Sequence, residues 1–150
     1  MLHVQMDTFL EMLPPNPEGY AVETTATDGK PTTAITLGRD IEKVLRGMRL
    51  AVAAMASGGN DMVIDEVTWD QAVLADYRQL LASFDFVAVG LFAPTDVIEH
   101  RERQRGDRAL GIARWHNERV HAGMTYDLEL DASTATPDEL ADQIKQTFQL

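Results

Sequence analysis

Residues Phe86 to Phe92 read Phe-Val-Ala-Val-Gly-Leu-Phe without one polar side chain. A strand of that kind has to be covered on both faces, which calls for helices above and below a parallel sheet. The flanking sequence supplies the alternation such a fold needs. Leu2 to Met6 is a short strand followed by one or two helical turns, stopped by Pro14-Pro15. From Asp40 the period is helical, with Ile41, Val44, Leu45, Met48, Val52 and Met55 on one face and Gly58-Gly59 ending it. Met62-Val63-Ile64 is a buried strand that closes in Asp65-Glu66. The next helix has Asp70 near its start and Val73, Leu74, Tyr77, Leu80 and Leu81 on its inner face.

Beyond the apolar strand, Pro94 stands near the start of an Arg/Glu-rich helix reaching Gly106, and a second helix is expected over roughly 107–121. Tyr126 to Leu130 is the last strand. Thr136-Pro137-Asp138-Glu139 carries three agreeing helix-start signals: a capping threonine, proline at the first position and glutamate three residues on. The remaining stretch, 14–39, is turn-rich, and Tyr20–Thr25 and Thr32–Leu37 flank Asp28-Gly29 as a hairpin would. The sum is four sheet strands with helices between them and one hairpin excursion.

A length of 150 residues suits a single domain with one core. The net charge of −11 argues against nucleic acid or an anionic membrane as partner, since both repel such a surface. No apolar run is long enough to span a bilayer and no signal peptide opens the chain. The absence of cysteine removes disulfides and thiolate metal sites and fits a cytoplasmic home. Charge is unevenly placed, however. Six of the ten arginines fall between 101 and 119, where only Glu102, Asp107 and Glu118 oppose them. That concentration suggests a local anion site; the alternative is a solvated helix laced with i,i+4 charge pairs.

Three segments carry candidate chemistry. Asp7 stands at the carboxyl end of the first strand, where open α/β sheets gather their ligands. A carboxylate there can take the proton of a hydroxyl that attacks phosphorus, or can simply cap the helix it opens. Met62–Glu66 is an apolar strand ending in an acid, a form in which Asp65 would meet Mg²⁺, although ordinary buried strands also end this way. Glu99–Arg108 places arginines on a helix-to-helix connection hinged at Gly106, and guanidinium forks over such a connection suit phosphate oxygens. His3, His100, His116 and His121 lack metal spacing, and His116 and His121 read as surface or interface residues. Trp69 could line a substrate pocket, with a packed core aromatic as the simpler expectation, and the methionines read as core filler.

Taken in order, these segments resemble the chloramphenicol phosphotransferase family, P-loop kinases that move the γ-phosphate of ATP to a hydroxyl of chloramphenicol or a related small molecule. The resemblance covers essentially the whole chain. It is strongest over Arg105-Gly106-Asp107-Arg108-Ala109-Leu110-Gly111 and on through Val120-His121-Ala122-Gly123-Met124-Thr125-Tyr126-Asp127-Leu128-Glu129-Leu130-Asp131. Met6-Asp7-Thr8, Asp28-Gly29 and Ile64-Asp65-Glu66-Val67 support it. It implies a P-loop kinase-like three-layer α/β sandwich on a mostly parallel sheet, with a hairpin insertion over 14–39 on the substrate side and an arginine-rich lid over 94–121. It implies further that Asp7 is the base for the substrate hydroxyl, that Arg105 and Arg108 are catalytic lid arginines near the phosphates, and that Asp65 is the acid that meets Mg²⁺. Arg101 is placed with Arg105 and Arg108 in holding ATP, although it and Arg103 are less secure than those two, since helical spacing can turn either to solvent. The acceptor is a small hydroxylated molecule, chloramphenicol-like or a metabolite alcohol.

One departure bears on activity. The family opens with a strand and a G-x-x-x-x-G-K-[ST] loop that cradles phosphate on backbone N–H groups, and the 150 residues contain no such motif. Gly29-Lys30, the one Gly-Lys pair, is followed by Pro31 within the hairpin. In the family's sheet the missing strand is central, between the strands at 62–67 and 86–92, so two facing edges would be left unpaired. The resemblance therefore implies a single kinase-like domain, incomplete at its N-terminus, that is inactive as it stands. The rival expectation is a non-catalytic, degenerate kinase fold that binds a ligand or partner. The codons upstream of Met1 separate the two.

Overall fold

A computed structural model of the chain describes the backbone of residues 1–150 and every side chain except that of residue 27. All four expected sheet strands form, and they form as two parallel pairs. Strand β1 (Leu2–Gln5) pairs with β4 (Met62–Asp65), matching Leu2 to Met62 and Gln5 to Asp65. Strand β5 (Val89–Phe92) pairs with β6 (Leu128–Asp131), matching Val89 to Leu128 and Phe92 to Asp131. Among the described residues β4 and β5 are not hydrogen-bonded to each other. The single sheet expected from the sequence is thus two ribbons, divided between the same two strands where the resemblance places its gap.

The third sheet is the expected hairpin, β2 (Ala21–Thr27) antiparallel to β3 (Lys30–Thr36). Asp28 and Gly29 turn it with φ of 52° and 73°. Two successive positive φ values define the primed turn that matches strand twist, and an Asp-Gly pair adopts it at low cost.

Helix α1 (Met6–Leu10) follows β1 at once, and α2 (Arg39–Ser57) is the longest element. Helix α2 buries Ile41, Leu45, Met48 and Val52, the i, i+4, i+7, i+11 face read from the sequence. Met48 and Val52 have no exposed surface and sit with Val4 of β1 and with Tyr77 and Leu81 in one cluster. Full burial of an aliphatic side chain of this size stabilises by about 1.5–3 kcal/mol, so this cluster fixes the β1–β4 ribbon against the helices. Helix α3 (Gln71–Leu80) is capped by Asp70, whose side chain accepts from the Ala72 amide at 2.9 Å. Helix α6 (Pro137–Phe148) opens on the capping box expected at Thr136 and Glu139.

The bounds of three expected elements move. Helix α4 (Thr95–Arg105) ends at Gly106, as anticipated, in a left-handed conformation. The second lid helix is only α5 (Ile112–Asn117), not 107–121, because Gly111 enters it at φ 94° and turns follow from Glu118. The strand expected over 86–92 begins at Val89, and the one expected from Tyr126 begins at Leu128. Ahead of both strands Asp127 ties the ends together: its carboxylate accepts the Ala88 amide at 2.8 Å, and its own amide donates to the Ala88 carbonyl at 2.8 Å. No helix among the described residues is long and apolar enough to cross a membrane.

Candidate functional site

Parallel strands β1 and β4 end side by side at Gln5 and Asp65, and their carboxyl ends open onto a small cleft. Gln5, Met6, Asp7, Asp65 and Val67 line it, around a space of about 80 Å³. The two acids singled out from separate motifs therefore meet in one place. Asp7 does not cap its helix. The cap position is Gln5, in extended conformation, and the exposed Asp7 carboxylate accepts no hydrogen bond among the described residues. Asp65 faces His3, whose Nε2 lies 3.6 Å from Oδ2.

Arg105 reaches the same neighbourhood electrostatically. Its proton is held first by the hydrogen bond to Asp107, Nη2 to Oδ2 at 2.8 Å, and also by the more distant charge of Asp7. Arg105 in turn keeps the Asp107 carboxyl below the usual range. The Arg108 Nε lies 3.6 Å from Oε1 of Glu102. Arg101 turns elsewhere, donating to the carbonyls of Ala132 and Ser133 at 2.7 and 3.1 Å. Of the three expected phosphate-binding arginines, Arg105 alone feels the charge of Asp7, and it does so weakly, its side chain being paired with Asp107.

Two buried carboxylates hold α4 and α5 together, and sequence reasoning missed both. Glu102, 3% exposed, accepts the amides of Gly111 and Ala113 at 2.7 Å each. It serves as the cap that the glycine at the start of α5 cannot supply. Glu99, 6% exposed, receives Lys30 Nζ from the hairpin at 3.1 Å and Arg114 from α5. Burial opposes its charge, but the hydrogen bonds from Lys30 and Arg114 outweigh that and hold its carboxyl below the usual range. Their i, i+3 spacing on α4 was the available signal, and it reads equally well as a solvated charge ladder. Thr33 completes the joint: fully buried, it donates from Oγ1 to the Leu110 carbonyl at 2.6 Å and from its amide to the Gly111 carbonyl at 3.1 Å. The hairpin and the α4–α5 segment are one packed unit.

Beside the small cleft lies a larger one of about 540 Å³, walled by the end of β3, by α2, by the loop from Glu66 to Asp70 and by Trp115. Val67 lines both clefts, so they adjoin. Trp69 does line a pocket and is packed as well. Its ring meets Trp115 edge-on at 4.9 Å and stacks on His116 at 5.3 Å. His116 is therefore half-buried against aromatic rings. Burial, helped by the nearby charge of Arg108, lowers its pKa to about 4. His121 likewise stacks on Phe92 and shares a 2.9 Å hydrogen bond with the Tyr126 hydroxyl. Glu66, on the wall of the larger cleft, accepts from the Tyr77 hydroxyl at 2.5 Å. Burial raises its pKa, against the Tyr77 hydrogen bond and the charge of Arg49.

Among the described residues no group of three or more histidines and acids could by itself hold a metal ion. The hard oxygens of Asp7 and Asp65 nevertheless suit Mg²⁺, which is commonly held by one or two carboxylates and completes its shell with water and phosphate. The site offers less to ATP itself, with no glycine-rich cradle in residues 1–150 and Arg101 committed to backbone carbonyls.

Comparison with known proteins gives the family and the fold. The family model described as chloramphenicol phosphotransferase-like protein matches residues 1–149. Two Mycobacterium tuberculosis proteins, from strains CDC 1551 and H37Rv, are named as presumptive O-phosphotransferases. Each is 28% identical over 158 aligned positions, spanning 99% of this chain and 70% of the relative. The fold is shared with the tunicamycin resistance protein of Deinococcus radiodurans, at a TM-score of 0.61 and 17% identity, over 99% of this chain and 82% of that one.

Proposed function

This chain belongs to the chloramphenicol phosphotransferase-like family, and from that membership we propose that its site transfers a phosphoryl group to the hydroxyl of a small molecule. One observation supports the reading most: Asp7 and Asp65 line the same cleft at the carboxyl ends of two paired parallel strands. Asp7 is exposed and uncommitted, as a group must be that takes a proton from an incoming hydroxyl. Asp65, a strand end away, offers oxygen to a hydrated Mg²⁺. That ion, when bound, neutralises charge on the phosphates. Arg105 and Arg108 gather the negative charge that develops on the transferred group, once Arg105 exchanges Asp107 for phosphate oxygen. The acceptor lies across the two adjoining clefts, its reacting hydroxyl at Asp7 and its body in the larger space. The phosphoryl donor in this reading is ATP.

A second reading has one observation in its favour. Residues 1–150 hold no phosphate-cradling glycine loop, which suits a kinase fold kept for binding alone. Transfer of labelled γ-phosphate from ATP to chloramphenicol and to tunicamycin, in Mg²⁺, separates the two. We expect transfer to at least one hydroxylated acceptor, and a loss of at least about 100-fold in Asp7→Asn with ATP binding unchanged. Retained transfer in Asp7→Asn removes Asp7 from the mechanism; no transfer to any hydroxyl compound leaves the binding module.

A further inference from the structure

We propose that Glu66 determines specificity in the larger cleft, selecting ring-bearing hydroxyl compounds that also present a hydrogen-bond donor, a protonated amine above all, and turning anions away. The inference rests on the acceptor lying across the two clefts as above, and it adds what the far end of that acceptor must carry.

Asp65 and Glu66 are neighbours in sequence but serve different spaces. Consecutive side chains at the end of a strand point to opposite sides. Asp65 accordingly lines the small cleft with Asp7, while Glu66 lines the large one. Since Val67 borders both, a molecule with one hydroxyl at Asp7 reaches Glu66 with its other end.

The Glu66 carboxylate is also fixed in place. The Tyr77 hydroxyl donates to its Oε2 at 2.5 Å, and Tyr77 is itself anchored in the core at 5% exposure. Its Oε1 takes no hydrogen bond among the described residues, and a carboxylate has about four lone-pair sites to fill. Acceptor capacity thus remains on a carboxylate that lines the cleft and is held from a rigid mount.

The cleft charge is not cancelled from the wall. Arg49 stands nearby, but its Nε is committed to Asp76 at 2.7 Å. Arg46 and Arg49 together still face three acids, Glu42, Glu66 and Asp70, so the lining keeps one negative charge in excess. An acidic balance of this kind repels anionic ligands and favours neutral or cationic ones. Trp69 and Trp115 supply aromatic surface for a ring, and about 540 Å³ suits a drug-sized molecule.

Three probes that share one ring and differ in charge test this: chloramphenicol, the primary amine left when its acyl group is removed, and its succinate half-ester. Calorimetry gives affinity. Tryptophan fluorescence gives location, because both tryptophans of the chain line this cleft. We expect the amine to bind tightest, chloramphenicol next and the half-ester not at all. In Glu66→Gln the amine should lose about tenfold while chloramphenicol changes by less than about threefold. The melting temperature should hold, since a glutamine oxygen still accepts from Tyr77. Equal binding of half-ester and amine, no binding of any probe, or a uniform loss accompanied by a lower melting temperature overturns the proposal. None of these measurements needs ATP or turnover. The expected pattern in a protein that transfers no phosphate would sink the catalytic reading and leave Glu66 in its role.

Discussion

At the scale of single residues, position relative to water decides what a titratable group can do here. The exposed Asp7 carboxylate accepts no hydrogen bond among the described residues, so its chemistry is open to a ligand, whereas Glu99 and Glu102 are buried and spent on structure. His116 is the residue whose environment makes the sharpest pH statement. Its folded pKa is about 4 against an ordinary 6.5, because burial disfavours the imidazolium and Arg108 repels it. Between those values the unfolded chain binds the proton and the folded chain does not, so stability from this group is complete above 6.5 and falls as pH drops toward 4. Urea unfolding at a series of pH values checks this: His116→Phe, which keeps a ring against Trp69, should lose less stability across that window than the parent. A parallel loss in both proteins would assign the acid sensitivity to other groups. Nothing in the spacing of the histidines announced this burial; it follows from two tryptophans brought beside His116, one of them 47 positions away in sequence.

Among elements, the local ones were legible and the joints between them were not. The Asp28-Gly29 turn, the Asp70 cap, the Thr136 capping box and the buried face of α2 all depend on residues within a few positions of one another. Short-range stereochemistry suffices for such features. The second lid helix was overextended because its true start needs Glu102, on another helix, to accept the first amides. The docking of hairpin on lid has a similar dependence on Gly111. A Cβ there would stand 2.5 Å from the Pro31 carbonyl oxygen, on a backbone already at φ 94°. Gly111→Ala should therefore destabilise by about 1–3 kcal/mol, and a denaturant melt reads it. The loosening should show as faster amide exchange in β3 and α5 together; a change confined to α5 would mean the hairpin is held by Lys30 and Glu99 without Gly111.

For the whole molecule, the core gathers on one side of the β1–β4 ribbon, where α2 and α3 close over Val4. The β5–β6 ribbon stands apart from it, and α6 buries none of its own residues fully. Stability should be graded accordingly. In native-state hydrogen exchange, amides around Met48 and Val52 in α2 should open last and those of α6 first; uniform protection would mean that one cooperative unit includes both. Order along the chain was set by sequence alone: which segments alternate as strand and helix, where the hairpin turns, and which acids and arginines stand at their ends. Those properties live in the periodicity and stereochemistry of near neighbours. Only the tertiary structure decided that the strands pair as two ribbons, that Asp7 meets Asp65 while Glu66 turns to another cleft, and that Glu99 is charged but buried. The reason is physical. Burying a charge is tolerable only when partners arrive to meet it, and the Lys30 that meets Glu99 lies 69 positions away.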